Sequence, residues 1–117
     1  MTSPTSIDPT GLPTTIRDYL AAHAAGDSAD ALVAFGPDAV VVDQGRTYRG
    51  ADGVLDFLRS AGAEFDYTTT LVGYEPIGHH RWAVRNRLEG DFPGGIADLT
   101  YRFAIDGGRI VELVIST

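Results

Sequence analysis

The chain has 117 residues, 44% of them hydrophobic and 21% charged, which is typical of one globular domain and not of a disordered segment. Its formal net charge is −7, with acidic residues spread along the chain, the opposite of the basic patch expected in a nucleic-acid-binding protein. The sequence contains no cysteine, which excludes disulfides, thiolate catalysis and thiolate metal sites.

The N-terminal region differs in composition from the rest. Residues 1–11 are rich in threonine, serine and proline, which predicts a flexible leader before a single domain over residues 12–117. The leader lacks the basic and apolar regions of a secretory signal, and no apolar run approaches the roughly 18 residues that span a bilayer. We therefore expect a cytoplasmic protein whose partners include neither a membrane nor nucleic acid.

Helical spacing dominates the first part of the domain. Apolar side chains recur every three to four residues from Leu12, which predicts a helix that ends at Gly26. A short second helix follows, with Leu32 and Phe35 facing inward, and the run Gly36-Pro37-Asp38 is expected to break it. Three consecutive valines then predict a strand over Ala39–Asp43.

The second half changes from helical to alternating periodicity. After a brief extended piece around Tyr48, a third helix is expected to open at Gly50, with a buried stripe of Val54, Phe57, Leu58 and Ala61. Four strands are predicted at about 64–75, 81–91, 96–105 and 109–116, separated by glycine-rich turns. Helices followed by a meander of long strands predict an α+β fold with the helices on one sheet face.

Alternation along these strands separates an apolar face from a charged one. The residues assigned to the apolar face are Trp82, Val84, Asn86, Leu88, Ala97, Leu99, Tyr101, Phe103, Ile105, Val111, Leu113 and Ile115. Asn86 is the polar exception, and it is either bonded to the backbone at a strand bend or exposed inside a cavity. The opposite face carries Arg81, Arg85 and Arg87, for which pairing with acidic neighbours is a simpler explanation than anion binding.

The pattern resembles the cone-shaped α+β family of nuclear transport factor 2, SnoaL-like polyketide cyclases and Δ5-3-ketosteroid isomerases. The residues that carry the resemblance are Tyr19-Leu20, Gly26-Asp27, Asp38 to Asp43, Tyr48-Arg49-Gly50, Tyr101-Arg102-Phe103 and Gly108-Arg109-Ile110. It implies three N-terminal helices packed on a curved mixed or antiparallel sheet that encloses a cavity. It also implies a homodimer formed through the outer sheet face, an apolar small-molecule ligand and no cofactor.

The first half of the chain is most similar to the ketosteroid isomerases. That likeness implies Asp43 as the general base and Tyr19 as the donor to the substrate oxyanion. The second oxyanion donor of those enzymes, an aspartic acid on the penultimate strand, corresponds here to Leu99 or Thr100, and neither is acidic. Asp98 adjoins Leu99, but alternation predicts that it points to the opposite face.

Each candidate also has a purely structural explanation. Tyr19 is either a catalytic phenol or a core tyrosine, and Asp43 is either a base or a turn-forming aspartate before Gln44-Gly45. His23, His79 and His80 lack the spacing of a metal site, so no metal is expected. Besides the catalytic pair, the expected ligand-binding residues are Phe57, Trp82, Val84, Asn86, Leu99, Tyr101 and Leu113, although Trp82 is equally compatible with a core role.

The expected function is therefore binding of an apolar carbonyl or polycyclic compound. Acid/base isomerisation or aldol-type cyclisation would follow if Asp43 and Tyr19 act together. The alternative is a non-catalytic ligand-binding or dimerisation module of the same fold.

Overall fold

A computed structural model describes residues 9–60 and 67–117, in which a six-stranded mixed sheet packs against three α-helices. A short 3-10 turn over Pro9–Gly11 precedes the first helix, while residues 1–8 of the predicted leader lie outside the described residues. The helices are α1 Thr14–Ala24, α2 Ser28–Val33 and α3 Gly50–Ser60. The strands are β1 Phe35–Asp43, β2 Arg46–Arg49, β3 Tyr67–Gly78, β4 Arg81–Gly90, β5 Ile96–Asp106 and β6 Arg109–Ser116.

The strand order across the sheet is β2-β1-β6-β5-β4-β3, and the sheet does not close. Strands β3 to β6 form an antiparallel meander, as the alternating pattern predicted. Strand β1 pairs with β6 in parallel, which makes the sheet mixed. The first strand therefore lies beside the last. Helix α1 packs against Phe35 at the start of β1 and against β6, the last strand of the meander.

The starts of the three helices agree with the sequence analysis, whereas α2 ends earlier than expected. Pro13 is the N-cap residue of α1, and Asp27 caps α2 by accepting a hydrogen bond from the Asp30 backbone N–H at 3.0 Å. Helix α3 opens at Gly50, whose φ of 70° lies in the left-handed region that glycine tolerates. These local signals are sufficient because caps and special φ values depend on the residues at the helix ends themselves.

The start of β1 corrects one prediction. Phe35 was expected on the second helix, but it is the first residue of β1 and lies opposite Ile110 of β6. The Ile110 backbone N–H donates to the Ala34 carbonyl at 2.8 Å, so pairing with β6 begins before the expected break. Pro37 has no N–H to donate, and the register is irregular between Phe35 and Val40. Tertiary pairing thus carries the strand through a segment that looks like a turn.

Strand β3 contains a bulge that resets its alternation. Leu71 lies opposite Asn86 and Gly73 lies opposite Arg85, so Val72 is the additional residue. Beyond the bulge, Tyr74 lies opposite Val84, on the sheet face that packs against the helices. We call that face the inner face. The predicted strand residues 64–66, and Ala61 of the predicted helical stripe, lie outside the described residues.

The hydrophobic core lies between the inner face and the helices, and it includes Ile16, Tyr19, Val41, Val54, Phe57, Phe103 and Leu113. The opposite, outer face carries ion pairs. The Arg87 guanidinium donates to both carboxylate oxygens of Asp98, at 2.8 and 3.3 Å, which confirms that Asp98 points away from the core. No helix within the described ranges is long and apolar enough to cross a membrane.

Candidate functional site

Tyr19 is completely buried in the middle of α1, at 0% exposure. The rings of Phe35 and Phe103 contact its ring edge-on, with centroids at 5.5 and 5.7 Å. Its hydroxyl has no hydrogen-bond partner among the residues that the structure describes. A core tyrosine usually satisfies its hydroxyl locally, so this unpaired phenol is an exception among the described residues.

Asp43 is the last residue of β1 and shares a face with the buried Ala39 and Val41. A two-residue turn follows, in which Gln44 and Gly45 take φ values of 49° and 90°. The half-buried Asp43 carboxylate makes no side-chain hydrogen bond or ion pair with another described residue, although a turn-forming aspartate normally would. Burial raises the pKa of this carboxyl group above its ordinary value, which makes it a stronger base.

Tyr101 lies in the same cross-strand row as Asp43. In the parallel pair β1–β6, Asp43 lies opposite Ile115, and Ile115 in turn lies opposite Tyr101 of β5. Tyr101 is 5% exposed, and burial raises the pKa of its phenol above the ordinary range. The sheet register therefore places a second protonated phenol two strands away from the carboxylate.

Tyr67 and His23 were not identified from sequence as a pair. The Tyr67 hydroxyl lies 3.4 Å from His23 Nε2, and the imidazole of His23 stacks on the Tyr19 ring with centroids at 5.8 Å. Burial lowers the pKa of His23, which favours the neutral imidazole. His23 is four residues after Tyr19, the spacing that places two side chains on one helix face, and this signal could have identified it. Tyr67 begins a strand, and only the fold brings it to α1.

We refer to Tyr19, Asp43, Tyr67 and Tyr101 as the tyrosine–aspartate cluster. Burial is the main cause of the raised pKa of the Tyr19 phenol. Its pKa is raised further by the phenols of Tyr101 and Tyr67 and by the carboxylate of Asp43. Asp43 also raises the pKa of Tyr67 and of Tyr101, in each case by less than burial does. The Asp43 carboxylate thus acts electrostatically on Tyr19, Tyr67 and Tyr101, and the raised pKa values keep all three phenols protonated at neutral pH.

Asn86 lies on the inner face of β4 and is 2% exposed. Its neighbours across the sheet are Leu71 on β3 and Leu99 on β5, both buried and apolar. Within the described part of the chain, its Nδ2 has no hydrogen-bond partner. An unsatisfied buried donor costs about 1–3 kcal/mol, so Asn86 is a second polar group that the described residues leave unpaired at a structural cost.

The remaining predicted ligand-binding residues share the inner side of the sheet. Phe57 of α3 is 2% exposed, and the Tyr48 ring packs on it at 5.6 Å. Trp82 is half-buried and lies 6.1 Å from the Tyr74 ring. The other predicted residues on this side are buried, namely Val84, Leu99, Tyr101 and Leu113. The structure thus places all of these predicted residues on the inner side of the sheet, where all but the half-buried Trp82 are buried.

The penultimate strand resolves the choice between Leu99 and Thr100. Leu99 is 7% exposed and faces inward beside Asn86, whereas Thr100 lies opposite Arg85 and Ser116 on the outer face. The inward position is therefore apolar. No group of three or more potential metal-ligating side chains occurs within residues 9–60 and 67–117.

Comparisons with known proteins show the family through solved structures. A candidate polyketide cyclase from Sinorhizobium meliloti is 31% identical to this chain, with a TM-score of 0.87, and the alignment covers 94% of this chain and 100% of that one. The chain belongs to the nuclear transport factor 2-like (SnoaL-like) superfamily. A scan against protein-family models found no match, and no curated protein matched the sequence.

Solved structures of lower sequence identity share the fold. A Catenulispora acidiphila protein with a ketosteroid isomerase-like fold, in complex with trimethylamine, is 15% identical with a TM-score of 0.77, and the alignment covers 90% of this chain and 85% of that one. A Mycobacterium tuberculosis protein in complex with estradiol-17β-hemisuccinate is 17% identical with a TM-score of 0.73, covering 88% and 90%. Proteins with this fold therefore include some that were crystallised with small molecules.

Proposed function

We propose that this protein binds a small, largely apolar carbonyl or polycyclic compound on its inner face and catalyses its isomerisation or aldol-type cyclisation. The observation that carries the proposal is the buried Tyr19 hydroxyl, which has no partner among the described residues and lies in the electrostatic environment of Asp43. The identity of 31% to a candidate polyketide cyclase and the steroid-derived ligand of a superfamily member support the substrate class.

In the proposed reaction, Asp43 acts as the general base. Its carboxylate removes a proton from the carbon next to a substrate carbonyl, and the electron pair of that C–H bond moves to the carbonyl oxygen to form an enolate. The Tyr19 hydroxyl donates a hydrogen bond to this oxygen, where negative charge develops. Asp43 is then a carboxylic acid that holds the transferred proton.

The second step distinguishes the two outcomes. In isomerisation, Asp43 returns the proton to the γ-carbon of the dienolate, and the double bond moves without net loss or gain of atoms. In cyclisation, the enolate carbon attacks a second carbonyl of the same molecule, a C–C bond forms, and the resulting alkoxide takes the proton from Asp43. Both outcomes require one carboxyl group that acts as base and then as acid.

The pKa shifts suit these roles. Burial raises the pKa of Asp43, so its carboxylate takes a proton more readily near neutrality. The raised pKa of Tyr19 keeps the phenol protonated, and hence a donor, throughout the physiological range. We propose that the seven inner-side residues predicted from sequence line a cavity in a cone-shaped fold and hold the apolar body of the substrate.

We further propose that the protein is a cytoplasmic homodimer formed through the outer sheet face. Sedimentation of the purified chain tests the dimer, and a monomer at micromolar concentration would contradict it.

One observation favours a second candidate function. The inward position on the penultimate strand is Leu99, which cannot donate to an oxyanion. Removing one such donor typically lowers a rate by about 10² to 10³. A non-catalytic ligand-binding module of the same fold therefore remains the alternative.

The experiment separates binding from catalysis. Affinity for estradiol, whose phenol mimics an enolate, and turnover of a Δ5-3-ketosteroid and a panel of polyketide-like diketones are measured for the native chain, Asp43→Asn and Tyr19→Phe. Asp56→Asn and Tyr74→Phe are matched controls outside the tyrosine–aspartate cluster. We expect Asp43→Asn to retain estradiol binding and lose turnover. Estradiol binding without turnover of any compound would support the binding module, and no binding by any variant would reject the site.

A further inference from the structure

Asn86 is a buried amide that the proposed reaction does not use. It is 2% exposed, and its Nδ2 has no partner among the described residues, although apolar Leu71 and Leu99 flank it on the neighbouring strands. A buried donor of this kind is normally satisfied by protein or by ordered water. Its position on the inner face makes a ligand oxygen the other available partner.

The sheet register separates Asn86 from the proposed base. Asp43 is on β1 and Asn86 is on β4, three strand steps away in the order β1-β6-β5-β4. At about 4.8 Å per step, the two Cα atoms are up to roughly 14 Å apart across the sheet. Asn86 also lies two residues along the strands from the row of Asp43, because it pairs with Leu99 whereas the row of Asp43 runs through Tyr101. A carbonyl group and its adjacent carbon are too small to span this distance.

We propose that Asn86 determines specificity by donating a hydrogen bond from Nδ2 to a second oxygen of the ligand. This oxygen belongs to the end of an apolar polycyclic compound opposite the carbonyl that Asp43 and Tyr19 act on. The inference rests on the proposed function, and it narrows the ligand class to polycycles with an acceptor oxygen at each end. The apolar side chains between the two ends contact the ring system.

The test compares two steroids that differ in one oxygen. Androst-4-ene-3,17-dione has an oxygen at both ends, and androst-4-en-3-one lacks the 17-oxygen. Binding is followed by the fluorescence of Trp82, the single tryptophan of the chain. We expect the native protein to bind the dione about tenfold to a hundredfold more tightly, because an unmatched buried donor is costly.

Substitution assigns this preference to the amide. Asn86→Leu replaces the amide with an apolar side chain of similar size, and we expect it to bind both steroids with similar affinity. Thr70→Val, which removes a polar group from the outer face opposite Arg87, is the matched control and should retain the native preference. Equal affinities in the native protein, failure to bind either steroid, or an unchanged preference in Asn86→Leu would overturn the proposal.

A direct spectroscopic readout is also available. Asn86 is the only asparagine and Gln44 the only glutamine, so the 15N spectrum contains just two side-chain carboxamides. The Asn86 amide resonances should move on addition of the dione and much less with the monoketone, while exposed Gln44 serves as an internal control. Turnover of Δ5 steroids with and without the 17-oxygen is measured separately. A preference without turnover would overturn only the catalytic proposal, and turnover without a preference would overturn only the role of Asn86.

Discussion

Replacing Tyr19 by phenylalanine should stabilise the protein and impair its function. The substitution removes only the hydroxyl and keeps the ring that packs between Phe35 and Phe103. Because that hydroxyl is buried without a partner among the described residues, its removal relieves a desolvation cost of about 1–3 kcal/mol. The same hydroxyl is the proposed oxyanion donor, so turnover should fall by about 10² to 10³. A gain in stability with a loss of activity is the signature of a functional group retained at a structural cost.

Urea unfolding measures the first effect. We expect a higher midpoint with an unchanged slope, and a melting temperature raised by roughly 4 °C for each kcal/mol. Tyr74→Phe is the matched control with the opposite sign, because the Tyr74 hydroxyl accepts a hydrogen bond from the Gly11 backbone N–H at 3.1 Å. That variant should lose about 0.5–1.5 kcal/mol. If Tyr19→Phe loses stability as Tyr74→Phe does, the Tyr19 hydroxyl is satisfied in the native protein, and the reasoning is refuted.

Three further predictions concern titration and the missing donor. Asp43→Asn should stabilise the protein at neutral pH, and unfolding measured across pH should show this gain falling as the pH drops through the raised pKa of native Asp43 and vanishing near the ordinary carboxyl pKa of about 4. A constant gain would contradict the raised pKa. Because burial lowers the pKa of His23, the free energy of unfolding should be at its full value above about pH 6.5 and should decrease as the pH falls below it. NMR titration should give the His23 imidazole a pKa below that of a reference peptide. Leu99→Asp should lower stability but raise ketosteroid turnover by about 10² to 10³, and unchanged turnover in a folded variant would argue against an oxyanion at that position.

Several elements of the fold could be predicted because their causes are local. The Asp27 cap, the opening of α3 at Gly50 and the alternation of β4 and β5 all depend on neighbouring residues. On β6 the prediction for Val111 was wrong, because a register shift leaves Val111 37% exposed and buries Ile110 instead. The start of β1 could not be predicted this way. Its segment Gly36-Pro37-Asp38 has the composition of a turn, yet pairing with β6, which lies more than 70 residues later, makes it a strand.

The residues of the candidate site likewise differ in whether a local sequence pattern could identify them. Tyr19 and Asp43 were proposed from the resemblance to ketosteroid isomerases, whereas the inward direction of Leu99 followed from alternation. Tyr67 could not be identified in this way, because its hydroxyl contacts His23, which is 44 residues away in the sequence. For Asn86, the sequence left backbone bonding and a cavity as alternatives and favoured backbone bonding, since whether a buried amide has a partner depends on its neighbours in space.

The sequence alone thus determined the α+β class and the order of helices and strands, and it supplied Tyr19 and Asp43 as candidates for acid/base chemistry. Periodicity, caps and turns are properties of short segments, so they can be predicted without knowledge of distant contacts. Only the tertiary structure decided which polar groups lack partners and which share one environment. Burial and electrostatic coupling are set by residues brought together from α1, β1, β3, β4 and β5, and these contacts exist only in the folded chain.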